Sequence, residues 1–208
     1  MRIDHLSAKP DRAGKYRLQL SDGTVLKLYR QTVEDFGIYS GMALTPEEME
    51  SLKTAAEEMS AKMRAVRILS AASVSKNDLK RRLIQKGEDP KQASAAVQWL
   101  EDLSLLDDRK TAEQVVSRCI VKGYGLARAK QALFEKRIPK EIWSEVLTDY
   151  PDQQDSIVEF LKARLPECPT DKDIRRAVDA LQRRGHNYAQ IKRAMSQLSL
   201  DTQELPEG

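Results

Sequence analysis

Residues 75–87, SKNDLKRRLIQKG, decide the fold, because their pattern returns twice further along the chain. The matching stretches are GLARAKQALFEKR at residues 125–137 and DIRRAVDALQRRG at residues 173–185. Each has apolar residues at its fifth and ninth positions, which lie on one face of a helix. The ninth positions, Leu83, Leu133 and Leu181, are 50 and 48 residues apart. Spacing of this size is typical of helical repeats.

Each of these stretches has helical neighbours on both sides. Apolar residues at helical spacing follow the first one, at Ala93, Val97 and Leu100, and a further apolar series that includes Val66 and Leu69 precedes it. The same order recurs around the other two stretches. The pattern therefore predicts three tandem repeats of three helices each.

Helix caps support these repeats. Ser75 with Asp78, and Thr170 with Asp173, fit a capping box, in which a hydroxyl accepts from an early amide and an acidic side chain returns the bond. Asp108 is predicted to cap the first helix of the second repeat.

The chain begins differently. Apolar and polar residues alternate over 16–20, a turn follows at Asp22-Gly23, and an extended run follows over 25–29, so a small β-hairpin is expected. Thr45-Pro46-Glu47-Glu48 then predicts a helix start, and an apolar series runs from Met49 to Val66. Because that series is too short to require a coiled coil, we expect it to pack within the chain and the protein to be a monomer.

The fold class predicted is thus mainly α, with tandem three-helix repeats and a small N-terminal β-hairpin. The expected organisation is a hairpin extension at 1–45, helical repeats at 46–106, 107–150 and 151–200, and a disordered tail at 201–208.

Basic residues are concentrated in three blocks. The chain of 208 residues has 35 Lys and Arg against 32 Asp and Glu, for a net charge of +3. Residues 62–87, 118–140 and 172–193 carry net charges of +7, +6 and +5, which leaves −15 for the rest. Proteins that need only solubility usually intersperse the two signs. A single block is also compatible with a solvated helix face, but three of them indicate a polyanionic partner.

Several protein classes are not indicated. No apolar run approaches the roughly 18 to 20 residues that span a bilayer, and no leader pattern opens the chain, so we expect a cytoplasmic protein without membrane contact.

Cys119 and Cys168 lie far apart, and neither His5 nor His186 has a ligand partner at zinc-site spacing. We therefore expect no metal and no cofactor. Cys119 is predicted to be a buried thiol, and His186 to serve a cap or turn.

An enzyme is not indicated either. The chain has no glycine-rich loop followed by Lys and Ser or Thr, no dinucleotide fingerprint and no recognisable Ser, His and Asp set. The adjacent Asp107 and Asp108 suit a helix start better than acid and base catalysis.

Residues 105–138 read LLDDRKTAEQVVSRCIVKGYGLARAKQALFEKRI, and this run resembles the signature of the RecX family of bacterial recombination regulators. The preceding SKNDLKRRLIQKG is similar to the family's first-repeat pattern, a Ser-capped helix that ends in Lys-Gly. The resemblance covers residues 61 to about 200. Two positions depart from it: Thr111 stands where the family usually has an aromatic residue, and Arg137 stands where a glycine usually closes the helix.

The resemblance implies an elongated, curved array of three-helix repeats. It also implies binding to RecA nucleoprotein filaments along their helical groove, with inhibition of ATPase, strand-exchange and co-protease activity, and so regulation of DNA repair, recombination and the SOS response. Members of the family also bind single- and double-stranded DNA directly. Whether inhibition proceeds by capping filament ends, by binding along the groove or by stripping protomers is left open.

Eleven basic residues of the three blocks are the candidates for DNA and filament binding. They are Arg81, Arg82, Lys86, Lys122, Arg128, Lys130, Arg137, Arg175, Arg176, Arg183 and Arg184. A curved array with one basic patch per repeat would engage a filament through several weak contacts, whose linkage raises avidity by about 10² to 10⁴.

Two alternatives stay open at this point. A nucleic-acid-binding module without sequence preference or recombinase partner would use the same basic faces, mainly through phosphate contacts because stacking aromatics are few. A protein-only scaffold would use the acidic remainder or the Met-rich series, and its binding would be insensitive to salt.

Overall fold

The structure is a computed structural model, and it describes residues 1–199. Within that range the chain forms three strands and ten helices, and it divides into two compact units, one from Met1 to Leu106 and one that begins at Asp107. The prediction of a mainly helical protein with an N-terminal β element is confirmed. The expected disordered tail at 201–208 lies outside the described residues.

The elements of the first unit are β1 (Ile3–Leu6), β2 (Lys15–Leu20), β3 (Val25–Tyr29), α1 (Arg30–Asp35), α2 (Pro46–Ala71), α3 (Lys76–Gln85) and α4 (Pro90–Asp102). Those of the second unit are α5 (Asp108–Val121), α6 (Leu126–Glu135), α7 (Lys140–Val146), α8 (Gln154–Arg164), α9 (Asp171–Arg183) and α10 (Tyr188–Gln197).

The N-terminal sheet is antiparallel, with the strand order β1-β2-β3. In the predicted hairpin, Leu18 pairs with Leu26, and the connection turns at Asp22-Gly23. The third strand, β1, was not predicted, and its Ile3 pairs with Leu20. A strand of four residues offers too little alternation to stand out in the sequence. The expected hairpin is therefore the larger part of a three-stranded sheet.

The long helix α2 serves two apolar cores. At its N-terminal end, Thr45 accepts a hydrogen bond from the Glu48 amide at 3.1 Å, and the Thr45 amide donates to the Glu48 carboxylate at 2.8 Å, which confirms the predicted capping box. Met49 and Leu52 are buried against the sheet, whereas Val66 packs against a separate helical core. These parts of the predicted apolar series thus pack within the chain.

The helical core of the first unit joins α2, α3 and α4. Leu79 and Leu83 of α3 are fully buried, and they pack with Ala61 and Ala65 of α2 and with Leu100 of α4. Small alanines on α2 let the three helices approach closely. The apolar positions that defined the repeat pattern are therefore core positions here.

The second unit contains two further helical cores. One joins α5, α6 and α7 around Leu133, and the other joins α8, α9 and α10 around Leu181. Both leucines are fully buried, as Leu83 is in the first unit. Cys119 on α5 is also buried, as predicted, and burial raises the pKa of its thiol.

Of the other three predicted caps, one is a full capping box, one shows a single bond of the box, and one is displaced by a residue. Thr170 forms the full box with Asp173, and Ser75 accepts from the Asp78 amide. The prediction for α5 was wrong: Asp107, not Asp108, is its N-cap and accepts from the amides of the next turn, because Asp108 already has helical geometry.

Three equivalent helix ends use the left-handed conformation. Gly87 after α3 has a φ of +88°, Gly185 after α9 has +87°, and Arg137 after α6 has +56°. Glycine takes up this geometry without a Cβ penalty, whereas arginine does not. Arg137 therefore makes the same turn as the two glycines, at a conformational cost.

Candidate nucleic-acid interface

A basic groove lies between α2 and the end of α3 in the first unit. It has a volume of about 640 Å³. Its lining consists of four basic and three apolar side chains: Arg64, Arg67, Arg82 and Lys86 with Ile68, Ala71 and Ala72. Two of these residues, Arg82 and Lys86, are among the sequence candidates. Basic side chains next to apolar ones suit a phosphodiester chain, whose phosphates and sugars differ in polarity.

The α2 arginines are held in place by the rest of the first unit. Arg64 Nε lies 2.9 Å from Glu88 Oε1, and the same guanidinium donates to the carbonyl oxygen of Lys86. Arg67 Nη2 donates to the carbonyl oxygen of Ala13 at 2.7 Å. Such contacts reduce the side-chain freedom that a ligand would otherwise have to remove. The groove is therefore partly organised in the free protein.

Sequence reasoning did not select Arg64 and Arg67. Both fall in the first basic block, and their spacing of three residues places them on one face of α2. That spacing was the available signal. The candidates Arg81, Arg82 and Lys86 of this block all lie in the repeated stretch 75–87, which does not include α2.

Two neighbouring arginines of α3, Arg81 and Arg82, share one buried carboxylate. Arg81 Nη2 lies 2.9 Å from Asp78 Oδ1, and Arg82 Nε lies 2.8 Å from Asp78 Oδ2. Asp78 is 2% exposed. Two cations therefore offset one anion, and the end of α3 keeps an excess of positive charge.

On α6, the candidate Arg128 is engaged by an acidic neighbour. Its guanidinium lies 2.9 and 3.5 Å from the two carboxylate oxygens of Glu135. The hydrogen bond from Arg128 lowers the pKa of Glu135, so the carboxylate is fully ionised at neutral pH. Lys122 and Lys130 are exposed, and neither side chain forms an ion pair within residues 1–199. The two lysines are thus the more available cations of this block.

The candidate Arg184 has a packing role. Its guanidinium lies over the ring of Tyr124 at 5.2 Å and over the ring of Phe160 at 5.1 Å. It also donates to the carbonyl oxygen of Lys122 at 2.7 Å. These contacts hold the turn after α9 against the turn after α5. Much of the Arg184 guanidinium is therefore engaged by groups of the protein itself.

Two glycine turns meet next to Arg184. The Gly125 amide donates to the carbonyl oxygen of Arg184 at 2.9 Å, and a Cβ placed on Gly125 would lie 2.0 Å from the Gly185 oxygen. His186 is buried, and its Nε2 lies 3.0 Å from the carbonyl oxygen of Gly123. The predicted turn at His186 is present, but its contact with a loop 63 residues away was not foreseen. Burial lowers the pKa of His186.

The third basic block contributes a cluster on α9. Arg176 and Arg183 line a groove of about 490 Å³ together with Arg164 of α8 and the carboxylates of Asp173 and Asp179. The side chains of Arg176 and Arg183 form no ion pair among the described residues. Hydrogen bonds from Thr170 lower the pKa of Asp173, which holds that carboxylate in the helix cap.

The eleven candidates therefore fall into groups. Exposed cations without an ion pair within residues 1–199 are Lys86, Lys122, Lys130, Arg176 and Arg183. Cations engaged by neighbouring groups are Arg81, Arg82, Arg128 and Arg184. Arg175 is exposed on α9, and Arg137 is exposed in the turn after α6. Within the described part of the chain, no cluster of His, Cys, Asp and Glu is placed to hold a metal ion, and no helix is long and apolar enough to cross a membrane.

Known proteins similar to this chain are regulatory proteins. Over 141 residues it is 31% identical to the regulatory protein RecX of Xanthomonas axonopodis pv. citri, which covers 66% of this chain and 87% of that protein. Over 147 residues it is 27% identical to the regulatory protein RecX of Vibrio campbellii, with coverage of 69% and 95%. No family model matches the chain.

Two solved structures share the fold. A crystal structure of a regulatory protein RecX superimposes with a TM-score of 0.63 at 17% identity, covering 94% of this chain and 98% of the other. RecX from Lactobacillus salivarius superimposes with a TM-score of 0.58 at 20% identity, covering 70% and 98%. The chain therefore has the same mainly helical fold as these two RecX structures.

The chain belongs to the RecX family. Its membership rests on the identity to the Xanthomonas relative over most of that protein's length, and the structural similarity agrees with it.

Proposed function

We propose that this protein is a negative regulator of RecA recombinase, which binds RecA–DNA filaments through the basic faces of its helical repeats. On this proposal it inhibits the filament's ATPase, strand-exchange and co-protease activities, and it has no catalytic activity or cofactor of its own. It acts as a cytoplasmic monomer whose repeats are residues 46–106, 107–150 and 151–200. The observation that carries the proposal is the recurrence of exposed cations at the end of α3, on α6 and on α9 in a chain of the RecX family.

The charge distribution supports a polyanionic target. Lys86 at the end of α3, Lys130 on α6, and Arg176 and Arg183 on α9 are exposed without an ion pair within residues 1–199. Each phosphate neutralised by such a cation releases condensed counterion, so binding would weaken steeply as salt rises. Several weak contacts on one chain would act together at high effective concentration.

Contact with the recombinase itself is the part that distinguishes this function from plain DNA binding. A labelled single-stranded oligonucleotide, bare or coated with the recombinase and a slowly hydrolysed ATP analogue, is titrated with the protein at two salt concentrations. We expect tighter binding to the coated strand at both salt concentrations. Equal or weaker binding to the coated strand would instead favour a nucleic-acid module without a recombinase partner.

A further inference from the structure

We propose that Phe134 is a stacking platform for a base of single-stranded nucleic acid, with Lys130 contacting a neighbouring phosphate. The proposal rests on the DNA contact of the proposed function and names the side chain that would make it selective for single strands. Phe134 lies on α6 and is 62% exposed. The other two phenylalanines pack against apolar cores, Phe36 on the sheet core and Phe160 on the α8–α10 core.

The helix face around Phe134 combines apolar and cationic side chains. Leu126, Lys130 and Phe134 are spaced four residues apart, so they follow one another along one face of α6. All three are exposed. The face therefore presents a flat ring and, one helical turn away, an ammonium group. The ring could contact a base while the ammonium group contacts a phosphate of the same strand.

Charge around the ring favours an anion. The adjacent Glu135 would repel a phosphate, but its carboxylate is bound by Arg128 at 2.9 and 3.5 Å and by Gln131 at 3.3 Å. The block that surrounds α6, residues 118–140, has a net charge of +6. A polyanion thus meets positive charge here, and the carboxylate of the adjacent Glu135 is already engaged.

Single-stranded nucleic acid is the polyanion that fits an exposed ring. Its bases are free to stack on aromatic side chains, and that contact tolerates any sequence. In a duplex the base faces are covered by neighbouring pairs. Phe134 would therefore add affinity for single strands, whereas Lys130 would add affinity for both forms.

Two other exposed side chains serve as controls. Tyr39 is also 62% exposed, but residues 31–52 around it contain five acids and no Lys or Arg. Ile84 occupies the equivalent position on α3, 50 residues before Phe134, is 39% exposed, and follows Lys80 as Phe134 follows Lys130. Tyr39 has the ring without the charge, and Ile84 has the charge without the ring.

The test uses the 208-residue chain and two DNA probes, an oligothymidine and a mixed-sequence duplex of the same length. We expect Phe134→Ala to weaken oligothymidine binding by about tenfold, the effect of losing one stacked base, with little change for the duplex. Phe134→Tyr should retain the affinity, and Tyr39→Ala and Ile84→Ala should not change it. Phe134→Trp should show fluorescence quenching with oligothymidine but not with the duplex, whose bases do not stack on the ring.

Lys130 has its own readout. Lys130→Gln should reduce the slope of log affinity against log salt for oligothymidine by about 0.7, the contribution of one single-strand phosphate. Phe134→Ala should leave that slope unchanged.

Two results of Phe134→Ala would overturn the proposal: unchanged oligothymidine affinity, and an equal loss of affinity for single strand and duplex. If oligothymidine affinity is unchanged but binding to the recombinase filament is lost, the face around Phe134 is a protein-docking surface instead. The DNA part of the proposed function fails separately, if Arg176→Glu/Arg183→Glu binds both DNA probes as tightly as the unmodified protein does.

Discussion

The Nε2 atom of His186 lies 3.0 Å from the carbonyl oxygen of Gly123, in a buried contact between the chain after α9 and the chain after α5. Because a carbonyl oxygen only accepts, Nε2 carries the ring proton. Nδ1 is buried and has no hydrogen-bond partner within residues 1–199. A second proton on Nδ1 would create a buried donor without an acceptor, so the folded protein favours the neutral ring.

The folding stability should therefore depend on pH through His186. Burial lowers its pKa in the folded state from the usual value of 6.5. As the pH falls below about 6.5 the unfolded chain takes up this proton first, so the free energy of unfolding falls between that pH and the lowered folded pKa. Urea unfolding at a series of pH values from 7.5 to 5 should show this decrease, and His186→Gln should reduce it. The same pH dependence in both proteins would contradict a buried neutral His186.

Glycine turns at equivalent positions should differ in their tolerance of a methyl group. Gly87 and Gly185 have nearly the same φ, but a Cβ on Gly87 would meet nothing within 4 Å, whereas one on Gly185 would lie 2.2 Å from the Arg128 nitrogen. We expect Gly87→Ala to cost about 1 kcal/mol from backbone geometry alone. Gly185→Ala should cost about 1 to 3 kcal/mol more, because the backbone segments must separate. Urea unfolding measures the loss of stability in both variants. Equal losses would contradict the close approach of Gly185 to the backbone of Arg128.

Arg184 should stabilise the protein more than it binds DNA. Arg184→Lys keeps the charge but loses the planar group that lies over Tyr124 and Phe160. We expect a loss of about 1 to 2 kcal/mol in the free energy of unfolding, since one cation–π contact is worth roughly 0.5 to 1 kcal/mol when exposed. The salt dependence of DNA binding should stay the same. A less steep salt dependence with unchanged stability would show that Arg184 is a phosphate ligand.

Reversing two arginines of α9 should weaken binding without unfolding the protein. In Arg176→Glu/Arg183→Glu, both changes fall on exposed side chains that form no ion pair among the described residues. We expect at least tenfold weaker binding to duplex DNA at low salt, and a slope against log salt that is reduced by about 2, for two lost phosphate contacts. Fluorescence anisotropy measures the binding, and circular dichroism should show unchanged helicity.

The matched control makes the same change in net charge elsewhere. Lys9→Glu/Lys27→Glu alters two exposed lysines in the N-terminal unit, outside all three basic blocks. Its binding should fall much less than that of the α9 variant. Equal losses in the two variants would mean that overall charge, not the α9 face, determines DNA affinity.

The helical part of the fold could be predicted because its apolar positions are regular. Leu83, Leu133 and Leu181 are all fully buried, and the helices before and after them form where the spacing indicated. Local signals such as the Thr170–Asp173 capping box act over a few residues, so the sequence shows them directly. The β1 strand was not predicted because its four residues show too little alternation of apolar and polar side chains.

The interface was predicted less completely, because charge patterns do not reveal side-chain partners. Arg128 and Arg184 were candidates by composition, but one is bound to Glu135 and the other lies over two rings. Arg64 and Arg67 line the groove because α2 packs beside α3, and this packing is a tertiary relationship. Similarly, only the fold brings His186 to Gly123.

The most direct test is the single-strand-dependent ATPase rate of the cognate RecA recombinase, measured as this protein is titrated from far below one molecule per recombinase protomer to excess. We expect inhibition that begins at sub-stoichiometric ratios, is weaker at higher salt, and is reduced in Arg176→Glu/Arg183→Glu but not in Lys9→Glu/Lys27→Glu. An unchanged ATPase rate at ratios where the protein demonstrably binds DNA would contradict it, and would leave a nucleic-acid-binding module with a RecX fold.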